Sequence, residues 1–276
     1  MHYKLLVLDV DGTLLNGENF ISDEDKKALD EARSRGIKVA LCTGRVNQAS
    51  QTVLKRLELD GYHIFSDGAV VASRDNKKII YARTIDEEMA KQLAEYVHAK
   101  KITTIDFFTP THHYVEPDTQ PWVTDIRRIF FGLEPQVTDF TRLCETDRII
   151  KATHMVASVR DRQLAKDFQA SFENKVRFSL TGNASFPEIA FYNIVNPAVS
   201  KGEAVRFLIN YLGLSREECI GIGDGVNDIP LLSGVGLGIA MGHAPDELKK
   251  IAKCVTLDVE HSGVAAAVRK FILDGN

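Results

Sequence analysis

The feature that most constrains this chain is the apolar run Tyr3 to Leu8, broken only by Lys4, with Asp9-Val10-Asp11-Gly12-Thr13-Leu14 directly behind it. A run with no polar face suits a strand covered on both sides, the setting of a parallel sheet between helices. Such a strand delivers two carboxylates at its C-terminal end. Asp9 and Asp11 are two residues apart, so their side chains share a face while the strand stays extended, and Gly12 allows a sharp turn after them. In open α/β sheets, ligands bind beyond the carboxyl ends of the strands, which is where this pair falls. An EF-hand calcium loop is excluded, because its spacing needs Asp or Asn at 13 and Gly at 14, where Thr13 and Leu14 stand.

Farther along, Ser22 is placed to cap a helix over about 23–35 that Gly36 ends, and 37–42 is a second apolar strand. That strand runs into Thr43-Gly44-Arg45 and a helix over roughly 46–57. A third strand, 63–66, ends in Asp67-Gly68-Ala69, with short β pieces at 70–73 and 79–82. The order β-α-β-α-β is that of a parallel sheet. Past residue 82 the pattern loosens. Helices at about 86–100, 121–131 and 161–173 mix with strands at about 103–108, 149–158, 176–181 and 186–192, and Pro110, Pro117, Pro121 and Pro135 punctuate them. From Ser200 the first alternation returns, with a capping box Ser200-x-x-Glu203, strands at 219–223, 237–240 and 255–257, and helices after Asn227, from Pro245 and from Ser262. The expectation is an α/β core built from 1–82 and 190–276, with 83–189 inserted as a separate α+β domain.

At 276 residues and 44% hydrophobic, the chain can bury a full core. A net charge of −4 is too small and of the wrong sign for electrostatic binding to nucleic acid or to an anionic membrane. Cys42, Cys144, Cys219 and Cys254 are far apart with no C-x-x-C pair, which argues against both a zinc site and a disulfide framework. Reduced thiols, no apolar run near ~18 residues and only a short apolar stretch before Asp9 lead to the expectation of a cytoplasmic protein. A monomer is compatible with the pattern.

Three further stretches carry chemistry. Residues 221–228, Gly-Ile-Gly-Asp-Gly-Val-Asn-Asp, follow a short apolar strand but fail the dinucleotide fingerprint, since Val226 holds the third glycine's place. Asp224 at the strand end and Asp228 at a helix start are hard oxygen donors of the kind Mg²⁺ accepts, and Asp228 can cap the helix as well. Thr43-Gly44, after a strand and before a helix, offers a hydroxyl and backbone N–H groups, an anion site. Lys201 falls in the first turn of its helix, where the dipole disfavours a cation, and that misplacement invites a functional reason.

Taken in order, DVDGTL (9–14), TGR (43–45), SKG (200–202) and GDGVND (223–228) make the sequence resemble the haloacid dehalogenase superfamily of phosphotransferases. The insertion between the Thr and Lys motifs looks like that superfamily's larger α+β cap, which points to the Cof-like branch of small-molecule phosphatases with a Rossmann-like parallel-sheet core. The resemblance implies that Asp9 is the nucleophile, forming an aspartyl-phosphate, and Asp11 the general acid and base. It also implies that Thr43, with Gly44, and Lys201 hold phosphoryl oxygens. Mg²⁺ would be bound by Asp9, Asp224 and the Asp11 backbone carbonyl, with Asn227 and Asp228 supporting phosphate, lysine and metal. The implied partner is a small-molecule phosphate ester; a phosphomutase or a non-catalytic phosphate sensor on the same scaffold are the competing readings. One departure stands out: Asp67-Gly68-Ala69 replaces the branch's usual Asn-Gly-Ala, making Asp67 a candidate substrate contact that favours hydroxyl-rich or amine-bearing esters. In the insertion, His112, His113, Trp122, Arg127 and Arg128 are the polar or aromatic candidates for substrate contact, with the adjacent arginines reading as a solvated helix face. His154 and Met155 read as a strand.

Overall fold

The computed structural model describes residues 2–117, 121–131, 134–182 and 188–274. The chain opens with β1 (Leu5–Leu8), α1 (Asp23–Ser34), β2 (Lys38–Leu41), α2 (Gln51–Arg56), β3 (Tyr62–Phe65), β4 (Val70–Ser73) and β5 (Ile79–Ala82). It continues through α3 (Glu87–Lys100), β6 (Ile105–Phe108), β7 (His113–Val115), α4 (Pro121–Phe131), β8 (Gln136–Val137), α5 (Phe140–Thr146), β9 (Lys151–Val156), α6 (Val159–Ser171), β10 (Arg177–Gly182) and β11 (Ala190–Val195). It closes with α7 (Lys201–Tyr211), β12 (Cys219–Gly223), α8 (Ile229–Gly234), β13 (Leu237–Ala240), α9 (Asp246–Ile251), β14 (Cys254–Val255) and α10 (Gly263–Val268). These elements form two compact units, Met1–Tyr81 with Ser200–Asn276, and Ala82–Val199.

The first unit is built on a five-stranded sheet in the order β14-β13-β12-β1-β2, parallel throughout. β1 lies at its interior with all four residues buried, which is why its sequence has no polar face. Leu8 stands opposite Ile222 on one side and Leu41 on the other, so β1, β12 and β2 release the chain at one level. α1 starts where expected, the Ser22 hydroxyl accepting from the Asp25 N–H. At α7 the Ser200 hydroxyl accepts from the Glu203 N–H, the cap half of the expected box.

The third strand departs from the expected single sheet. β3 meets the end of β2 through the parallel bridge Cys42–Ile64, just past β2, and through the Leu41 N–H donating to His63 Nδ1 at 3.1 Å, but it belongs to a separate three-stranded sheet, β3-β4-β5, in which β3 and β4 are antiparallel. The cause is local: Ser66 and Asp67 are left-handed at φ 52° and 59° and Gly68 follows at φ 100°, which folds the chain straight back.

The second unit carries a six-stranded sheet in the order β10-β11-β9-β6-β7-β8, antiparallel except for the β7–β8 pair. Ile105, Phe107, Ala152 and Ile194 from its strands pack against Leu93 and Val97 of α3, Phe140 and Leu143 of α5 and Phe168 of α6. β11 is paired on both sides within this sheet, so the chain returns to the first unit at Ser200 and not at 190 as the sequence suggested. The expected strand at 186–192 is this β11, and residues 186 and 187 lie outside the described set. The short elements β7, β8 and α5 were not expected; α5 is capped by Asp139, whose side chain accepts from the Arg142 N–H.

Two of the candidate contact residues in this unit turn out to be internal. Arg127 has no exposed surface; its Nε donates to Asp106 Oδ1 at 2.7 Å, while His113 Nε2 lies 2.9 Å from Asp106 Oδ2. The solvated face expected for adjacent arginines therefore holds only for Arg128, which is exposed and paired with Asp125 and Glu134. The side chain of Trp122 lies outside the described set. No described helix is long and apolar enough to cross a membrane.

β9 contains one costly residue. His154 is 1% exposed and among the described residues neither ring nitrogen has a hydrogen-bond partner, and burial pushes its pKa down to about 4. An unfolded histidine takes its proton near pH 6.5, so between about pH 6.5 and 4 the unfolded state binds a proton the folded state refuses, and stability falls with pH. His154→Leu is expected to remove this dependence, retaining about 2 kcal/mol that the wild type loses between pH 7 and 5. Urea unfolding of both proteins at the two pH values reads the difference directly; equal losses would contradict it.

Candidate active site

β1 ends at Leu8 and places Asp9 inside the first unit, 5% exposed, its N–H donating to the Ile222 carbonyl at 3.0 Å. Lys201, 2% exposed at the start of α7, donates from Nζ to Asp9 Oδ1 and to Asp228 Oδ1, both at 2.6 Å. The two carboxylates answer the question raised by a lysine at a helix N-terminus, since paired charges outweigh the dipole. Asp228 is fully buried, and its other oxygen accepts the N–H groups of Asp224 and Gly225 at 3.0 Å each. Asp224 in turn accepts the Thr13 hydroxyl on Oδ1 at 2.8 Å.

Glycines make room for this packing. A Cβ on Gly12, which sits at φ 84°, would lie 2.2 Å from Asp224 Oδ2, and one on Gly223 would lie 2.6 Å from the Asp228 side chain. Carboxylate oxygens of Asp9, Asp224 and Asp228 consequently fall within 4.8 Å of one another.

Three carboxylates around one ammonium leave excess negative charge in a desolvated place. Unit charges about 4 Å apart repel by ~4 kcal/mol at an effective dielectric near 20. Burial first, and then the charge of Asp228, hold the Asp9 carboxyl well above the usual carboxylate range despite Lys201. Asp224 is raised as well, chiefly by burial, with the Thr13 hydrogen bond opposing. Burial alone would lower the Lys201 pKa, but Asp228 and Asp9 more than compensate and keep it protonated. A cluster of hard oxygen donors that cannot comfortably all ionise together is the donor set a divalent cation such as Mg²⁺ fits. Asp228, with both oxygens engaged, would act from beside the ion.

The second motif lies in a loop. Thr43 is fully buried, its Oγ1 accepting the Arg45 N–H at 3.1 Å and its carbonyl accepting the Asp67 N–H at 3.0 Å. The following helix begins only at Gln48, as a 3₁₀ turn, so Thr43 and Gly44 do not form the expected helix N-terminus. Asp67 is 5% exposed and lies against Gly44, where a Cβ would come within 2.9 Å of its Oδ1. Gly68 packs so closely on Ser200 that a Cβ would stand 2.3 Å from its carbonyl oxygen, which joins this loop to the start of α7.

Asp11 does not join the acid cluster. The strand ends before it, so the shared face with Asp9 is lost, and its side chain, 56% exposed, pairs with Arg45. Arg45 Nε donates to Asp11 Oδ2 at 2.9 Å and Nη2 to Oδ1 at 2.5 Å. Asn227 is exposed in the turn before α8, and the Lys201 bonds go to Asp9 and Asp228. The buried Cys42 lies near Lys201, and burial keeps its thiol protonated and unreactive.

Two residues escaped the sequence reading. Arg45 was quoted within its tripeptide without a role. His243, after β13, brings Nε2 to 3.8 Å from Asp224 Oδ2; its place just beyond a parallel strand's carboxyl end was the available signal.

The profile of the haloacid dehalogenase-like hydrolases matches residues 6–268. YxeH of Bacillus subtilis, provisionally named a phosphatase, is 29% identical over 278 residues, covering 98% of this chain and 99% of its own. Among solved structures, TM0651 from Thermotoga maritima superposes with a TM-score of 0.83 at 26% identity, covering 98% of this chain and 97% of its own. The sugar phosphatase BT4131, of haloacid dehalogenase subclass IIB, gives 0.76 at 25% identity over 97% and 98% of the two chains. The resemblance carried by the four motifs thus extends over the whole length, and the chain belongs to the haloacid dehalogenase-like hydrolase family, among its phosphatases.

Proposed function

We propose that the protein is a Mg²⁺-dependent phosphatase that hydrolyses small-molecule phosphomonoesters, sugar phosphates and similar metabolites, through an aspartyl-phosphate on Asp9. The observation that carries this reading is the Lys201 ammonium bridging Asp9 and Asp228 beside Asp224. That arrangement sets Asp9 against cationic support, and a bound divalent cation would add the charge that favours its ionised form, which attack on an anionic phosphoryl group requires. Asp9, Asp224 and the Asp11 carbonyl would hold the ion, which when bound supplies positive charge against the carboxylates and the phosphoryl oxygens.

Asp9 Oδ attacks phosphorus, the ester P–O bond breaks, and Asp11, an ion-paired carboxylate at rest, relays a proton from solvent to the leaving oxygen. Asp11 then takes a proton from water as that water attacks the aspartyl-phosphate, releasing inorganic phosphate and restoring Asp9. Thr43, Gly44 and Lys201 steady the phosphoryl oxygens, and Asn227 supports them from the next loop. The inserted α+β unit, Ala82–Val199, is the cap that selects the leaving group. Four free cysteines accord with a reducing, cytoplasmic setting. Asp67, buried beside Gly44, adds negative charge that favours hydroxyl-rich or amine-bearing leaving groups.

A phosphate-release screen over phosphorylated metabolites is expected to show activity with Mg²⁺ that a chelator abolishes, and Asp9→Asn is expected to lower kcat by more than roughly 10³-fold. Undiminished turnover by the folded variant, or in chelator, would refute the mechanism. Recovery of an isomerised phosphate ester in place of inorganic phosphate would identify a mutase. Asp67→Asn is expected to reorder the substrate panel toward more anionic esters, and an unchanged ranking would remove Asp67 from substrate selection.

A further inference from the structure

Both oxygens of the Asp11 carboxylate are held by the guanidinium of Arg45, at 2.9 and 2.5 Å, with Nη2 also reaching Asn19 Oδ1 at 3.5 Å. A carboxylate gripped in this way cannot at the same time exchange a proton with a leaving oxygen, so catalysis by Asp11 requires the pair to open. Arg45 is well placed to find another partner. Its main chain is fixed between the Thr43 hydroxyl, which accepts its N–H at 3.1 Å, and Ser66, whose N–H donates to its carbonyl at 2.9 Å. That is the loop packed on the start of α7, where Lys201 begins. The guanidinium fork fits phosphate as well as it fits carboxylate. With side chains 25% and 56% exposed, the Arg45–Asp11 pair is of the weak, exchangeable kind.

We propose that Arg45 is a positioning residue shared between Asp11 and the substrate: it passes from the Asp11 carboxylate to the outward oxygens of a bound phosphomonoester, so that Asp11 is released to the leaving group when phosphate arrives. The proposal rests on the roles given above to Asp9 and Asp11. Phosphate and Asp11 then compete for one cation, and substrate binding is coupled to freeing the acid and base.

Inorganic phosphate tests this, because one of its oxygens stands where the leaving oxygen would. Its affinity is measured calorimetrically with Mg²⁺ for the wild type, Asp11→Asn, Arg45→Met and the double variant. Removing the competing carboxylate is expected to tighten phosphate about fivefold more when Arg45 is present than in the Arg45→Met background, the size of an exposed ion pair. Arg45→Met alone is expected to weaken phosphate, with Arg45→Lys restoring part of the loss. If Arg45 merely screens Asp11 and stays on it, the order reverses: Asp11→Asn then helps more in the Arg45→Met background, where the carboxylate stands bare, and the exchange is refuted. An equal effect in both backgrounds refutes it too. Arg45→Gln serves as the neutral variant should Arg45→Met not fold. Failure of the wild type to bind phosphate with Mg²⁺ would overturn the phosphatase reading itself, a result distinct from normal binding with the reversed order.

Discussion

The first unit depends on one buried ammonium. Lys201 meets an aspartate 192 residues earlier and another 27 residues later, and so draws together the end of β1, the start of α7 and the loop after β12. Loss of one partner from a buried ion pair leaves an uncompensated charge and typically costs about 3–5 kcal/mol, against ~0.3–1 kcal/mol for a lysine at the wrong end of a helix dipole. The ion pairs win by a wide margin, which explains why a residue that local rules disfavour occupies this position. The same contacts close the unit on either side of a 118-residue interruption spanning Ala82–Val199. Assembling the site and rejoining the two halves of the core are one physical event.

Missing side-chain atoms matter here as much as charges. The glycine after the acid pair reads from sequence as a turn residue, and its φ of 84° agrees. Its second role is steric, because any Cβ would occupy the space of Asp224. Gly223 gives Asp228 the same room, and Gly68 lets its loop seat on Ser200. Three separate strand ends are thereby allowed to crowd their polar groups into one small volume, from which water is largely excluded and within which a hydrogen bond or a charge has greater effect than at the surface.

What could be read from sequence followed how local its cause is. β1, α1, β12 and β13 stand where apolar runs and caps placed them, since each is dictated by neighbours a few residues away. The four motifs were visible because their spacing and strand-end positions are written along the chain. The return to the first unit was misplaced because β11 is an apolar strand whose partners, β9 and β10, are set by long-range pairing. Arg127 was assigned to solvent with Arg128, and it is buried because Asp106 on β6 supplies the opposing charge, a contact that adjacency in sequence does not reveal. Asp9 and Asp11 were expected to share a face; the strand stops at Leu8, and from there a turn and a distant arginine decide where Asp11 points.

That last difference divides the site into unequal halves. Asp9 is enclosed, bonded to a buried lysine and packed beneath the β12 loop, so its geometry is fixed before a substrate is engaged. Asp11 is more than half exposed and tied by an ion pair that solvent weakens. In the role proposed for Asp9, attack on phosphorus would gain from this rigidity, because a nucleophile held in line with its target has little orientation left to lose. In the mechanism proposed above, proton delivery by Asp11 would make the opposite demand, since one carboxyl would serve first a leaving oxygen and then an attacking water. A strand end that stops one residue before Asp9 would meet both proposed demands, since it keeps the first acid in the framework of the sheet and leaves the second on the turn beyond it.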